Sequence, residues 1–168
     1  MRSGRDERAL VRGAQRGSAS DLEALFRVHW PRAYRAAYLV CGDVAAAEDI
    51  AQESFLAAVR ALDRFDRRRP FGPWLHRIAV NRAIDFTRAR RLRGEVELVE
   101  STAAHDPDPP ADSAFARLAE LSPEHRAVIV LRYLLEYTPG EIAELLGLPR
   151  GTVNSRLRRG LDALKERL

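Results

Sequence analysis

Seven residues between positions 150 and 159 could do recognition chemistry: Arg150, Gly151, Thr152, Asn154, Ser155, Arg156 and Arg159. Guanidinium, amide and hydroxyl groups pair with base edges and phosphates in the major groove. A second set lies in FDRRRPFGPW, residues 65–74, where Arg67, Arg68 and Arg69 stand beside Phe71 and two further aromatics. Aromatic faces stack on unpaired bases and Arg neutralises phosphate, so this mixture suits single-stranded better than duplex DNA. A third set, Arg77, Asn81, Ile84, Arg88 and Arg91, recurs at i, i+4, i+7, i+11 and i+14, giving a basic strip with one amide. A fourth, Asp49, Gln52, Glu53 and Leu56, forms an acidic face with an apolar centre, the pattern of a surface that docks a basic helical partner.

None of these sets is catalytic. The chain contains no phosphate-cradling GxxxxGK[ST], no GxSxG and no HExxH. Its four His residues have no ligand spacing, and the single Cys41 excludes an internal disulfide. The expectation is a protein that binds rather than catalyses, without metal or cofactor.

Helices must carry these sets. Ala, Leu, Arg and Glu dominate and alternating β-branched runs are absent, which predicts an all-α fold. The periodicity predicts a helix over 21–39, with Leu22, Leu25, Phe26, Ala33, Ala37 and Tyr38 inward and Pro31 kinking or splitting it. Asp43 is placed to cap a helix over 44–62 that buries Ala47, Ile50, Ala51, Phe55, Ala58 and Leu62. After a basic loop at 63–73, a helix over 73–91 turns Leu75, Ile78, Ala79 and Phe86 inward. Helices over 114–121 and 124–135 follow, the second capped by Ser122 with Pro123. GEIAELLGLPRGTVNSRLRRGLDAL, residues 140–164, then reads as helix, turn at Gly147, and a second helix with a buried stripe of Val153, Leu157, Leu161 and Leu164.

Charge divides the chain in three. Residues 1–93 carry a net +8, residues 94–125 a net −7 and residues 126–168 a net +3. Basic, acidic, basic is the order expected of two nucleic-acid modules joined by an acidic linker. The Pro- and Asp-rich run ESTAAHDPDPPAD, residues 100–112, marks that linker as flexible. No apolar run reaches the roughly 20 residues of a membrane span, and the N-terminus lacks the apolar core of a secretion signal. A cytoplasmic location without membrane insertion follows as the expectation.

Three blocks in this order, AEDIAQESFLAA (47–58), WLHRIAVNRAIDFTRARR (74–91) and LSPEHRAVIVLRYLLEYTPGEIAELLGLPRGTVNSRLRRGLDAL (121–164), resemble the bacterial sigma factors of the extracytoplasmic-function (ECF) group, within the sigma-70 family. The resemblance covers the chain from about residue 21 to 168. It implies a region-two helical bundle over 1–93, a flexible acidic linker over 94–112 and a region-four helix-turn-helix over 113–168. It further implies binding to the clamp coiled coil and flap of core RNA polymerase, the clamp contact falling on Asp49, Gln52, Glu53 and Leu56. Recognition and melting of the minus-ten element would fall to Arg67, Arg68, Arg69, Phe71, Arg77, Asn81 and Arg88. Reading of the minus-thirty-five element would fall to Arg150, Gly151, Thr152, Asn154, Ser155, Arg156 and Arg159. Restraint by an anti-sigma factor is part of the same implication. The loop DRRRPFGP departs from the family pattern, which usually places small polar and acidic residues there. A stand-alone helix-turn-helix regulator with a helical sensor or dimerisation domain accounts for residues 140–164 equally well, but gives no use to the Arg-aromatic loop or to Leu56.

Overall fold

The computed structural model describes residues 4–94 and 113–165, and every regular element among them is helical. The run 100–112 lies outside the described residues.

Helix α1 (Gly4–Gln15) buries Val11 and half-buries Leu10 and Ala14. Ser18 caps α2 (Ala19–Cys41), its hydroxyl accepting from the Asp21 amide at 3.3 Å. The helix runs unbroken through Pro31, so Pro31 does not split it. Pro31 lies on the exposed face, where water can satisfy the carbonyl that its missing N–H leaves free. Phe26 also differs from expectation: it is 36% exposed, whereas Leu25 and His29 take the inward positions. Gly42 ends the helix at φ +74, a left-handed conformation suited to glycine, and donates to the Tyr38 carbonyl at 2.8 Å.

Asp43 caps α3 (Val44–Ala61), accepting from the Ala46 amide at 2.9 Å, and also holds Arg90 at 3.2 Å. All six residues expected inward over 44–62 are buried. A 3₁₀ turn, Leu62–Arg64, leads to the basic loop, and α4 runs Phe71–Leu92. Helix α5 (Ser113–Glu120) precedes α6 (Pro123–Ile129), capped by Ser122. The single helix expected over 124–135 is instead α6 followed by a π-helical segment, Val130–Leu134, and Glu136 at φ +61. The wider turn redirects the chain so that Tyr137 points back at α4.

Helix α7 (Pro139–Leu146) opens with a capping box. The Thr138 amide donates to Glu141 Oε2 at 2.7 Å and the Glu141 amide donates to the Thr138 hydroxyl at 3.3 Å. Gly147 at φ +65 closes it, and α8 runs Arg150–Lys165.

Two apolar clusters hold these helices. One joins Val11, Leu25, Phe55, Phe65, Phe71 and Leu75 from α1 to α4. The other is shared between modules: Val40, Val80 and Ile84 pack in the same cluster as Ile129, Leu131, Ile142 and Val153. Each such side chain contributes about 1.5–3 kcal/mol when fully buried. The two modules therefore meet through an apolar core as well as through polar contacts.

Candidate nucleic-acid and partner interfaces

On α3, Asp49, Gln52, Glu53 and Leu56 are all exposed, Leu56 at 45%. Glu53 Oε2 holds Arg82 of α4 at 2.8 Å, so part of the acidic face is already neutralised. Behind it, Phe55 is buried and meets Phe26 edge-on at 5.0 Å. Phe26 stacks on Trp30 at 4.8 Å, and parallel ring pairs continue through Tyr34 and Tyr38. This aromatic row escaped the sequence reading, although its i, i+4 spacing was there to be seen.

Arg67, Arg68 and Arg69 are fully presented on the loop between the 3₁₀ turn and α4. Asp66 organises the tip: its carboxylate accepts from the Arg68 amide and from the Arg68 guanidinium, both at 3.0 Å, and its carbonyl accepts from the Arg69 amide at 2.9 Å. The Arg68 contacts hold that carboxyl below the usual range. Arg67 and Arg69 have no ion-pair partner among the described residues.

Phe71 must be removed from the DNA-contacting set. It is 1% exposed and ringed by Phe55, Phe65 and Trp74, so no base can reach its face. The ring anchors the loop instead. Trp74 is half-buried and stacks on the buried Phe65 at 4.5 Å.

The basic strip of α4 divides. Arg77 is exposed and Asn81 half-buried at its N-terminal half, next to the loop. Ile84, read as part of the strip, is 8% exposed and belongs to the shared core. Arg88 donates to Glu124 Oε1 at 2.7 Å and Arg91 to the Leu121 carbonyl at 3.3 Å, so both reach the C-terminal module. Burial pushes the Glu124 carboxyl up, but its own backbone amide, Arg88 and the Ser122 hydroxyl outweigh it and hold the group below its ordinary value.

On α8, Val153, Leu157 and Gly160 face inward, while Leu161 and Leu164 are half-buried. Arg150, Gly151, Asn154 and Arg159 are exposed; Thr152, Ser155 and Arg156 are half-buried. Gly151, Thr152, Ser155, Arg156 and Arg159 line a cleft of about 500 Å³ together with Arg88, Ser122, Glu124 and His125. Helix α8 and Arg88 of α4 thus face a common space.

Two buried polar contacts fasten the modules beside it. Arg126, 4% exposed, has no carboxylate partner among the described residues: it donates to the carbonyls of Val40 at 2.6 Å, Ala119 at 2.7 Å and Leu121 at 3.1 Å. It thereby supplies a cation near the C-terminus of α2, where the helix dipole favours one. Burial, with repulsion from Arg91, lowers its pKa to about 10. His76 Nδ1 lies 2.7 Å from the Tyr137 hydroxyl. Neither contact was legible beforehand, since both are set by tertiary packing.

The sequence matches the family model of sigma-70 region 2 over residues 25–93 and that of sigma-70 region 4 over residues 117–166. It is 32% identical over 176 residues to the ECF RNA polymerase sigma factor SigW of Bacillus subtilis, with 94% of each chain covered. It is 36% identical over 166 residues to the ECF RNA polymerase sigma factor SigL of Mycobacterium tuberculosis, again with 94% of each covered. Among solved structures it resembles CnrH in complex with the cytosolic domain of CnrY, with a TM-score of 0.71, 29% identity and 96% of both chains covered.

Proposed function

Because this chain belongs to the ECF sigma factors of the sigma-70 family, we propose that it docks on core RNA polymerase through the α3 face, holds melted minus-ten DNA on its Arg-rich loop and reads minus-thirty-five duplex with α8. Asp49, Gln52 and Glu53 would meet basic groups on the clamp coiled coil, with Leu56 as the apolar anchor at their centre. Arg67, Arg69, Arg77 and Asn81 would hold the displaced strand, and Arg150, Asn154, Ser155, Arg156 and Arg159 the duplex. Opening DNA costs about 1.4 kcal/mol per base-pair step, and phosphate neutralisation with base contacts offsets it. The region-two module is assigned to 1–93 and the region-four module to 113–168.

The observation that carries this function is Leu56, 45% exposed in the middle of an acidic helix face. A duplex-binding regulator has no use for it, whereas a polymerase-docking subunit requires such an anchor. CnrH is solved with the cytosolic domain of CnrY. We extend that relation to this chain as restraint by an anti-sigma protein, which would hold the packed arrangement in which Arg88 and α8 share one cleft. Transcription of a genomic fragment library by core polymerase, with and without the protein, tests the function. The expected result is a small set of new start sites that depend on the protein. No protein-dependent start site on any fragment would overturn it.

A further inference from the structure

Helix α1 precedes the family-model match, which begins at residue 25. Two of its polar side chains reach the two ends of the Arg-rich loop. Gln15 Nε2 donates to the carbonyl of Leu62 at 2.8 Å and to that of Phe65 at 3.1 Å, where the loop departs. Glu7 Oε2 accepts from the amide of Phe71 at 3.3 Å, where the loop re-enters helix. Helix α4 has no side-chain cap of its own, since its N-cap is Pro70. Glu7 fills that place from another helix, with its carboxylate at the positive end of the α4 dipole.

The carboxylate is itself held. Glu7 Oε1 lies 2.8 Å from His29 Nε2, and His29 is buried in α2. The close contact with His29 is the main reason that the Glu7 carboxyl sits below its ordinary range, with the amides of Phe71 and Gly72 adding to it against burial. Gly72 leaves the room: a Cβ there would stand 3.1 Å from His29 Cε1. Eight residues of helix separate Glu7 from Gln15, a rise of about 12 Å. The six peptide units from Phe65 to Phe71 could span about 20 Å if extended. A rigid bar therefore fixes the two ends closer than the chain's reach, and the three arginines must bow out into solvent, where all are exposed.

We propose that Glu7 and Gln15 of α1 are positioning residues for the strand-holding loop, setting the span across which Arg67 and Arg69 meet the extruded minus-ten strand. The inference rests on the loop function proposed above. Neither residue touches DNA; each acts through the backbone at one loop end.

The test uses holoenzyme on a promoter drawn from the fragment library, with two readouts. One is affinity for the single-stranded minus-ten oligonucleotide, carrying 2-aminopurine. The other is initial binding to the same promoter as intact duplex. Glu7→Ala with Gln15→Ala should weaken single-strand binding about tenfold and leave initial duplex binding within about twofold. Amide hydrogen exchange at Arg69 and Phe71 should rise in the same variant. Gln15→Ala alone, which leaves Leu10, Val11 and Ala14 packed, serves if the double variant is poorly folded, and Glu7→Gln, which keeps an acceptor for the Phe71 amide, should recover part of the loss. Equal losses in both readouts would overturn the inference by making α1 a mere structural support. Arg67→Ala with Arg69→Ala separates the two levels. If that variant loses single-strand binding while the α1 variants do not, the loop function stands and the positioning role falls. If it loses nothing, both fall.

Discussion

His76 is 4% exposed and meets Tyr137 of the C-terminal module, so its charge state bears on stability. Burial, then the positive charges of His29 and Arg32, push its pKa down to about 4, whereas the unfolded chain should titrate near 6.5. The folded value lies below the unfolded one, so the unfolded state takes up the proton first as pH falls. Stability is full above about pH 6.5 and declines toward pH 4, by up to about 3 kcal/mol. Denaturant midpoints measured from pH 7.5 to 4 should show this slope. His76→Gln should flatten it, and an equal slope in the variant would assign the acid sensitivity elsewhere, Glu7, Asp66, Glu124 and Glu141 being carboxylates with lowered values. Leu56 is the second residue on which the account depends. Leu56→Ala with Asp49→Ala should cost about 1–3 kcal/mol of affinity for core polymerase while leaving the fold intact, because both side chains are exposed. Calorimetry with purified core enzyme checks this, and unchanged affinity in the folded double variant would remove α3 from the interface.

At the scale of elements, α8 illustrates how packing selects residues. Gly160 is buried, and a Cβ added there would stand 2.7 Å from Ile129 Cδ1 and 3.5 Å from His125 Cβ. Gly160→Val should therefore cost about 1–3 kcal/mol despite a better helix propensity, read as a lower urea midpoint. A neutral result would mean that α6 and α8 are less tightly apposed than described. Helices were legible in the sequence wherever apolar periodicity and caps agreed: Asp43 and Ser122, both read as caps, each accept from the backbone at a helix start. Phe71 was misassigned because a loop's composition does not say which of its rings turn inward, and Ile84 because spacing defines a face without saying what lies opposite it. Here Phe65 and Trp74 close over the one, and the C-terminal module over the other. The π segment at Val130–Leu134 has no composition signal, since it is imposed by how the chain must turn to bring Tyr137 against His76. The partners of Glu7, Gln15 and Arg126 lie between 5 and 86 residues away, several of them beyond the range of any local pattern.

Across the whole molecule, one apolar cluster, the Arg126 carbonyl clasp and the Arg88–Glu124 pair at 2.7 Å join the two modules, with Arg88 facing α8 across a single cleft. Reading two promoter elements at once requires both faces to be free, so engagement of polymerase and promoter should separate what is packed here. The most direct test of the central claim is permanganate footprinting of a promoter bound by holoenzyme. Wild-type protein should render minus-ten thymines reactive. Asn81→Ala, and Ala at positions 67–69, should reduce that reactivity far more than they reduce initial promoter binding, and a pre-melted template should restore part of the transcription. Equal loss of binding and melting would make the loop an electrostatic tether, and no reactive thymine with wild-type protein on any promoter would contradict the account altogether.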